Sequence, residues 1–202
     1  MTEATKAETF DFPAVPDRAD LTLTSLAEAK LPPELVLWAA IWSGLRESPG
    51  AIPTRSSVSM KALGSTARNI VIFEQMDTGD YKIRLAGTEV EAWMEHKLTG
   101  SDPLALVPPA QRKRVGAVYD NVLGKPCGFY IAEAIMLSRG KQAYVTALKL
   151  PLTNAEGKVT QFLTSYHFSE ATFLDVPDHE APAEHRKIDR IGFIDIGFGL
   201  PE

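Results

Sequence analysis

Three strand-like runs in the second half of the chain constrain its fold more than any other feature of the sequence. They cover residues 127–136, 142–150 and 159–168. The segments between them, 138–140 and 154–157, consist of turn-forming residues at lengths typical of β-hairpins. The sequence therefore predicts three consecutive antiparallel strands.

Two further strands are predicted earlier in the chain. Residues 69–74 form a short β-rich run, and the turn-forming residues 77–80 connect it to 81–86. Apolar and polar residues alternate along 81–86, which indicates a strand with one buried face and places Arg84 on the solvent side. These two runs are predicted to form another hairpin.

Helices are predicted between the two groups of strands. Thr88 suits the N-cap of a short helix through Glu95, and Gly87 before it would supply a permissive backbone angle. The longest amphipathic stretch covers 110–123 and follows two prolines. The predicted class is therefore α+β, a five-stranded antiparallel sheet with helices on one face.

Two apolar segments, one before and one after the predicted strands, are expected to be covered by other parts of the protein or by a partner. Residues 34–47 follow two prolines and form a helix that is apolar around most of its circumference, so we expect it to be covered on two sides. Residues 194–198 alternate in the manner of a strand too apolar for solvent. Both segments are predicted to contribute to a homodimer or to a contact with another protein. The residues predicted for this interface are Trp38, Trp42, Leu45, Ile194, Ile196 and Phe198.

The length of 202 residues suits one domain with additional terminal segments. Residues 1–30 are predicted to be an N-terminal arm because they mix prolines, charges and small residues. The domain with its front helix covers 31–170, and 171–202 comprises a polar linker and the docking tail.

Composition disfavours several classes of partner. The formal charge is −5, from 26 acidic and 21 basic residues, so the chain lacks the basic field that nucleic-acid binding requires. The longest apolar run, 35–42, is far shorter than the ~20 residues of a membrane-spanning helix. Cys127 is the single cysteine and suits a reducing compartment. Without a recognisable secretory signal, a cytoplasmic location without membrane insertion is expected.

The central segment carries a more specific signal. Residues 80–90 (DYKIRLAGTEV), the Leu-Thr-Gly step at 98–100 and the Leu-Pro-Leu sequence at 150–152 resemble a PAS-domain family. This family is abundant in alphaproteobacteria and consists mainly of signalling or uncharacterised proteins. The similarity extends over about 35–168. It implies a PAS-like fold and a stand-alone sensory or regulatory module that binds a small ligand, a protein partner or both.

The resemblance also implies a ligand cavity between the sheet and its short helices. Arg84 and Thr88 are ligand candidates as well, although a salt bridge or solvent contact for Arg84 and a capping role for Thr88 explain them structurally. The basic residues 112–114 suit either a solvated helix face or an anion contact. The helical residues predicted to line the cavity are Trp93, Met94, Leu98, Val115, Val118 and Tyr119.

Two cofactors known from PAS modules are disfavoured. Haem-binding members place an axial ligand on the helix before the third strand, whereas 110–123 contains neither histidine nor cysteine. Photoactive flavin members place a cysteine inside a helix, whereas Cys127 stands at a predicted strand start.

An enzyme in an α+β cone, such as an isomerase or hydrolase, is the alternative. No phosphate loop, nucleophile elbow or His-Glu-x-x-His helix is present in the sequence. Asp77 or His96 would serve such an enzyme only if a pocket of the fold held it beside a buried substrate. Two or more ionisable side chains in one pocket would favour this alternative. Because the sequence contains none of these catalytic motifs, we expect a non-catalytic protein.

Overall fold

One sheet organises the fold. The computed structural model describes residues 22–23, 29–107, 109–137, 142–170 and 186–201. The strands are β1 (Thr22–Leu23), β2 (Ile70–Gln75), β3 (Tyr81–Ala86), β4 (Gly128–Met136), β5 (Gln142–Thr153), β6 (Val159–Glu170) and β7 (Arg186–Ile194). Their order in the sheet is β1-β7-β4-β5-β6-β2-β3, in which β1 and β7 are parallel and every other pair is antiparallel.

The predicted hairpin and the two predicted pairings among the three later strands are present. β2 pairs with β3, β4 with β5, and β5 with β6. β2 also pairs with β6, which closes the predicted five strands into one antiparallel arrangement. The prediction of an α+β, PAS-like architecture is therefore confirmed at this level.

The prediction of five strands is wrong, because six strands of six or more residues join the sheet in the part of the chain that the structure describes. The additional strand, β7, pairs with β4 from Gly128 to Ile135. Without β7, the backbone groups of β4 would form an open edge, which proteins commonly cover. The C-terminal segment thus docks on its own chain, and the strand lies before the alternating residues 194–198 that were expected to form it. Residues 171–185, which include the predicted polar linker, lie outside the described residues, as does most of the predicted arm.

Helices cover both faces of the sheet. They are α1 (Pro33–Gly44), α2 (Met60–Leu63), α3 (Thr88–Met94) and α4 (Pro109–Gly124). The predicted helical face carries α3 and α4, which the 3₁₀ turn at Pro103–Leu106 connects, and the predicted N-terminal helix, α1, packs on the opposite face.

The helix α1 packs its tryptophans onto the sheet of its own chain. Trp38 is fully buried, and Trp42 donates a hydrogen bond from Nε1 to the Pro151 carbonyl at 3.0 Å. Leu37, on the other side, is 59% exposed, so the expectation that α1 is covered on two sides is wrong within the chain. Trp38 and Trp42 are core residues here rather than a surface open to a partner. A homodimer contact stays a prediction.

Gly87 marks the switch from β3 to α3, but not for the predicted reason. Its φ is −72°, which any residue adopts, and it is itself the N-cap, so Thr88 is the first helical residue. A Cβ at position 87 would lie 2.2 Å from the Arg68 carbonyl oxygen. The position requires glycine because two backbone segments touch there.

Candidate ligand cavity

A cavity of about 670 Å³ lies between the sheet and the helices α3 and α4. Strand alternation explains its inner wall, because every second residue of a strand faces the same side. Ile131 on β4 and Val145 on β5 belong to that side, whereas Leu148 packs on the opposite face beneath α1. Most of the residues that line the cavity are apolar.

Five of the eight predicted ligand residues line this cavity, and three do not. Arg84 is exposed and forms an ion pair with Glu74 on the neighbouring strand, not with the helices. Thr88 is exposed at the start of α3. Trp93 stacks on Phe168 with a centroid distance of 5.2 Å and lines a smaller pocket near α1. The residues that do line the main cavity are Met94, Leu98, Val115, Val118 and Tyr119.

Lys149 is the central polar feature of the inner wall. This β5 residue is only 5% exposed, and its Nζ lies 5.0 Å from the ring centroid of Phe73. The centroids of Tyr166, Tyr119 and Phe162 lie 5.6, 5.7 and 5.9 Å away. Such distances are those of cation–π contacts, which strengthen when water is excluded. The four rings, from β2, β6 and α4, form an aromatic box around the ammonium.

A buried hydroxyl lies beside this box. Thr164 on β6 pairs directly with Lys149 in the register of the two strands, so both side chains point to the same face. Thr164 is fully buried, and its Oγ1 has no hydrogen-bond partner among the described residues. Buried hydroxyls without a partner are uncommon in folded proteins and call for a specific explanation.

A second buried charge lines the same cavity. Glu133 on β4 is 4% exposed, and it pairs with Val145 in the register. Lys149 pairs with Phe129, four residues before Glu133. At a rise of about 3.3 Å per residue, the backbone positions of the two charges are about 13 Å apart. The cavity wall therefore carries the side chains of an acidic and a basic residue on one face of the sheet.

The sequence analysis did not identify Glu133, Lys149 or the aromatic box. A usable signal exists at both charged positions: Glu133 stands between Ile131 and Ile135, two inward apolar residues, and Lys149 follows the inward Ala147. A charge in phase with the apolar residues of a strand indicates a buried polar group.

Further charges lie on the helical side of the cavity. Arg112 and Arg114 on α4 line it, and so do Glu95 and His96 after α3. Arg112 donates a 3.0 Å hydrogen bond to the Val107 carbonyl, so this guanidinium also fastens the segment that enters α4. Of the two candidates for acid–base chemistry, His96 lines the cavity and Asp77 does not.

A hydrogen-bonded cluster fixes α4 to the β2–β3 hairpin. The Tyr81 hydroxyl donates to Asp120 on α4 at 2.7 Å, and the Gln75 amide donates to the same carboxylate oxygen at 2.9 Å. Burial raises the pKa of Tyr81, and the hydrogen bond to Asp120 raises it further. The phenol therefore remains a donor over the physiological pH range and holds the roof of the cavity to its wall.

Cys127 does not line the cavity. It is buried beside Val122 and Phe129, and burial raises the pKa of its thiol to about 12. A protonated, inaccessible thiol is a poor nucleophile, so its position indicates a packing role. No cluster of three or more potential metal-ligating side chains is found where the structure describes the chain.

Comparison with known proteins identifies one matching family. The model of the PAS domain matches residues 32–167, which include α1, most of the residues that line the cavity and most of β6, but not β7. None of the curated proteins matches.

Several solved structures share part of the architecture at low identity. One, described as "Flavin Analogue Sheds Light on Light-Oxygen-Voltage Domain Mechanism", is 17% identical with a TM-score of 0.42, over 55% of this chain and 83% of that chain. The PAS domain of BvgS from Bordetella pertussis is 11% identical with a TM-score of 0.42, over 55% and 82% of the two chains. A PAS domain of a Colwellia psychrerythraea protein is 9% identical with a TM-score of 0.37, over 55% and 98%.

Proposed function

The chain belongs to the PAS domain family, and on this premise we propose that it is a non-catalytic sensory module that holds a small molecule in its cavity and signals through another protein. The observation that carries the proposal is the apolar cavity of about 670 Å³ under α3 and α4. Its volume lies in the range of about 300–1,000 Å³ that is typical of small-molecule sites. A few polar groups set among apolar walls are also typical of sites that orient a ligand.

The output of such a module would pass through the elements that contact the cavity walls. α4 contributes Val115 and Val118 to the cavity, and Asp120 on the same helix binds Tyr81. A ligand that displaces α4 would therefore act on the β2–β3 hairpin. A ligand shifts such an equilibrium only by its difference in affinity for the two arrangements.

We further propose a homodimer whose contact includes the exposed side of α1. Val36 and Leu37 are large apolar residues exposed on this helix, and Phe198 in the tail is 39% exposed. Arg46 donates a hydrogen bond to the Ile196 carbonyl at 3.1 Å, which brings the tail to the end of α1. Leu45 and Ile196 pack partly into the core, and Ile194 is buried in it, so of the predicted interface residues Phe198 is the one that is exposed.

The proposed setting is the cytoplasm, with a small molecule and a signalling protein as partners and without nucleic acid. The net charge of −5 is consistent with the last point. Within the described ranges, no helix has both the length and the apolar character that crossing a bilayer requires.

One observation favours the enzyme alternative. Glu133 and Lys149 are both ionisable and both line one cavity, which meets the criterion set from the sequence. We nevertheless give preference to binding, because most of the residues that line the cavity are apolar. If a retained ligand is chemically converted by the wild type and not by Glu133→Gln, the enzyme alternative is correct.

Native mass spectrometry tests the binding proposal directly. Protein purified from its own host should show a fixed mass increment that disappears on denaturation. Val118→Trp fills part of the cavity and should abolish the increment, whereas the same substitution at exposed Val36 should leave it unchanged. Circular dichroism confirms that both variants are folded. An increment that survives Val118→Trp, or no increment in the wild type, would contradict the proposal.

A further inference from the structure

The strand β7 forms part of the cavity wall, although it lies after the residues that match the PAS domain. Ile188 and Ile191 of β7 both line the cavity. Ile191 pairs with Ile131 of β4, and it packs against the same apolar cluster as Val118 of α4. The cavity therefore continues from β4 onto β7, beneath α4.

A β-bulge turns both isoleucines towards the cavity. Residues three apart in a regular strand point to opposite faces of the sheet. Ile188 pairs with Glu133 of β4, and the adjacent pair is Arg190 with Ala132, so Asp189 is an extra residue between the two pairs. In an unbroken register the acidic Asp189 would lie opposite Glu133 on the cavity face. The bulge places the apolar Ile188 there instead, and bulges beside functional sites commonly re-aim a side chain in this way.

The bulge is fixed from the opposite face of the sheet. The Tyr144 hydroxyl donates to the Asp189 carboxylate at 2.5 Å, and Arg190 donates to the Ala29 carbonyl at 2.9 Å. Tyr144 precedes the inward Val145, so its side chain lies on the face away from the cavity. These contacts hold the two isoleucines in place before a ligand arrives, which reduces the ordering cost of binding.

The cavity wall extends across the whole sheet. Each strand of six or more residues contributes lining residues, from Ile83 on β3 to Ile188 on β7. Five inter-strand spacings of about 4.8 Å span about 24 Å, whereas a sphere of about 670 Å³ would be only about 11 Å across. Even after side chains at both ends take up part of this span, the space is longer than it is wide.

We propose that the ligand carries a long aliphatic chain that extends beneath α4 and contacts Ile188 and Ile191, so that β7 sets a preference for long chains. This inference rests on the proposed function, since it names the chemical class of the ligand for the same cavity. Glu133 also lines this part of the cavity, but it already has a partner in the folded chain, so its charge does not require a polar group on the ligand. The exposed lining residues, His96 and Arg112 among them, mark the opening, where the polar end of such a ligand would lie.

Isothermal titration calorimetry with two alcohols of different length tests the chain. 1-Hexanol and 1-decanol, each below its solubility limit, are titrated into the full chain after any retained ligand has been removed. Each buried methylene should raise the affinity about fourfold, so decanol should bind about 200-fold more tightly than hexanol.

Variants assign the length preference to β7. Ile188→Trp and Ile191→Trp fill the β7 end of the cavity and should weaken decanol binding at least about tenfold, while hexanol binding stays within about twofold. Ile188→Ala adds no bulk and covers the case in which a tryptophan variant does not fold; it removes apolar contacts and should weaken decanol alone, by about threefold or more. Val36→Trp, at an exposed position on α1, is the control and should change neither affinity.

The outcomes separate this inference from the proposed function. Three results would overturn the inference: a wild type that does not prefer decanol, decanol binding that the β7 variants leave unchanged, or equal weakening of both alcohols in folded β7 variants. In each of these cases a mass increment on protein from the host that Val118→Trp abolishes would still support the cavity proposal. Absence of that increment contradicts the proposed function, whatever the alcohols do.

Discussion

The two buried tryptophans of α1 allow a sharp test of how this helix is fixed to the sheet. Trp42 donates from Nε1 to the Pro151 carbonyl at 3.0 Å, whereas the Nε1 of equally buried Trp38 has no hydrogen-bond partner among the described residues. Replacement by phenylalanine removes the same atoms from each residue. The loss of packing is therefore similar in the two variants. Arg46 lies 4.6 Å from the ring centroid of Trp42, but phenylalanine keeps a ring for this contact, so the hydrogen bond is the main difference.

The magnitudes follow from this comparison. Trp42→Phe loses the hydrogen bond and leaves the Pro151 carbonyl without its donor, which costs about 1–3 kcal/mol beyond the packing term. Trp38→Phe also removes a buried N–H that has no hydrogen-bond partner among the described residues. This removal offsets part of the destabilisation that the lost packing causes. We expect the free energy of unfolding to fall by about 1 kcal/mol for Trp38→Phe and by about 2–4 kcal/mol for Trp42→Phe.

Urea unfolding followed by far-ultraviolet circular dichroism measures both values. The linear extrapolation gives each free energy of unfolding, and an unchanged slope confirms that the comparison is valid. Equal destabilisation of the two variants, or a larger effect of Trp38→Phe, would refute the assignment of the Trp42 hydrogen bond as the attachment of α1.

Three further predictions use other features of the fold. Gly87→Ala should lower the free energy of unfolding, measured in urea, by about 1–3 kcal/mol or more, because the new methyl group meets the Arg68 carbonyl. Gly44→Ala, which has open space around the new methyl group, is the control and should be neutral or stabilising. Cys127 keeps its proton in the folded chain up to about pH 12, whereas the unfolded chain loses it near pH 9. The free energy of unfolding should therefore fall as pH rises through this interval, and less steeply in Cys127→Ala; identical slopes would contradict the shift. Leu37→Asp should convert the proposed dimer to a folded monomer in sedimentation velocity, and a wild-type monomer would remove the dimer proposal.

The strands were predictable because local pattern and tertiary role agree in them. Alternation along 81–86 and the turn residues between the later strands lead directly to β3 and to the consecutive pairing of β4, β5 and β6. The helical side of the cavity could be predicted for the same reason, since Val115, Val118 and Tyr119 share one face of an amphipathic helix.

The features that could not be predicted depend on contacts between distant parts of the chain. The sequence cannot show that Lys149 contacts the rings of Phe73 on β2 and Tyr119 on α4, because both lie far from it along the chain. It also cannot show that Gly87 touches Arg68, although it marks the glycine. The apolar circumference of α1 predicted burial but not which partner supplies it, and here the partner is the chain's own sheet.

The position of β7 decides which parts of the molecule can yield when the cavity is filled. With β7 on one side and β5 on the other, β4 is an inner strand whose backbone is tied along both margins. The strand that carries Glu133 is consequently stiff. We expect ligands of different size to be accommodated by displacement of α3 and α4. That asymmetry gives any occupant one direction in which to push.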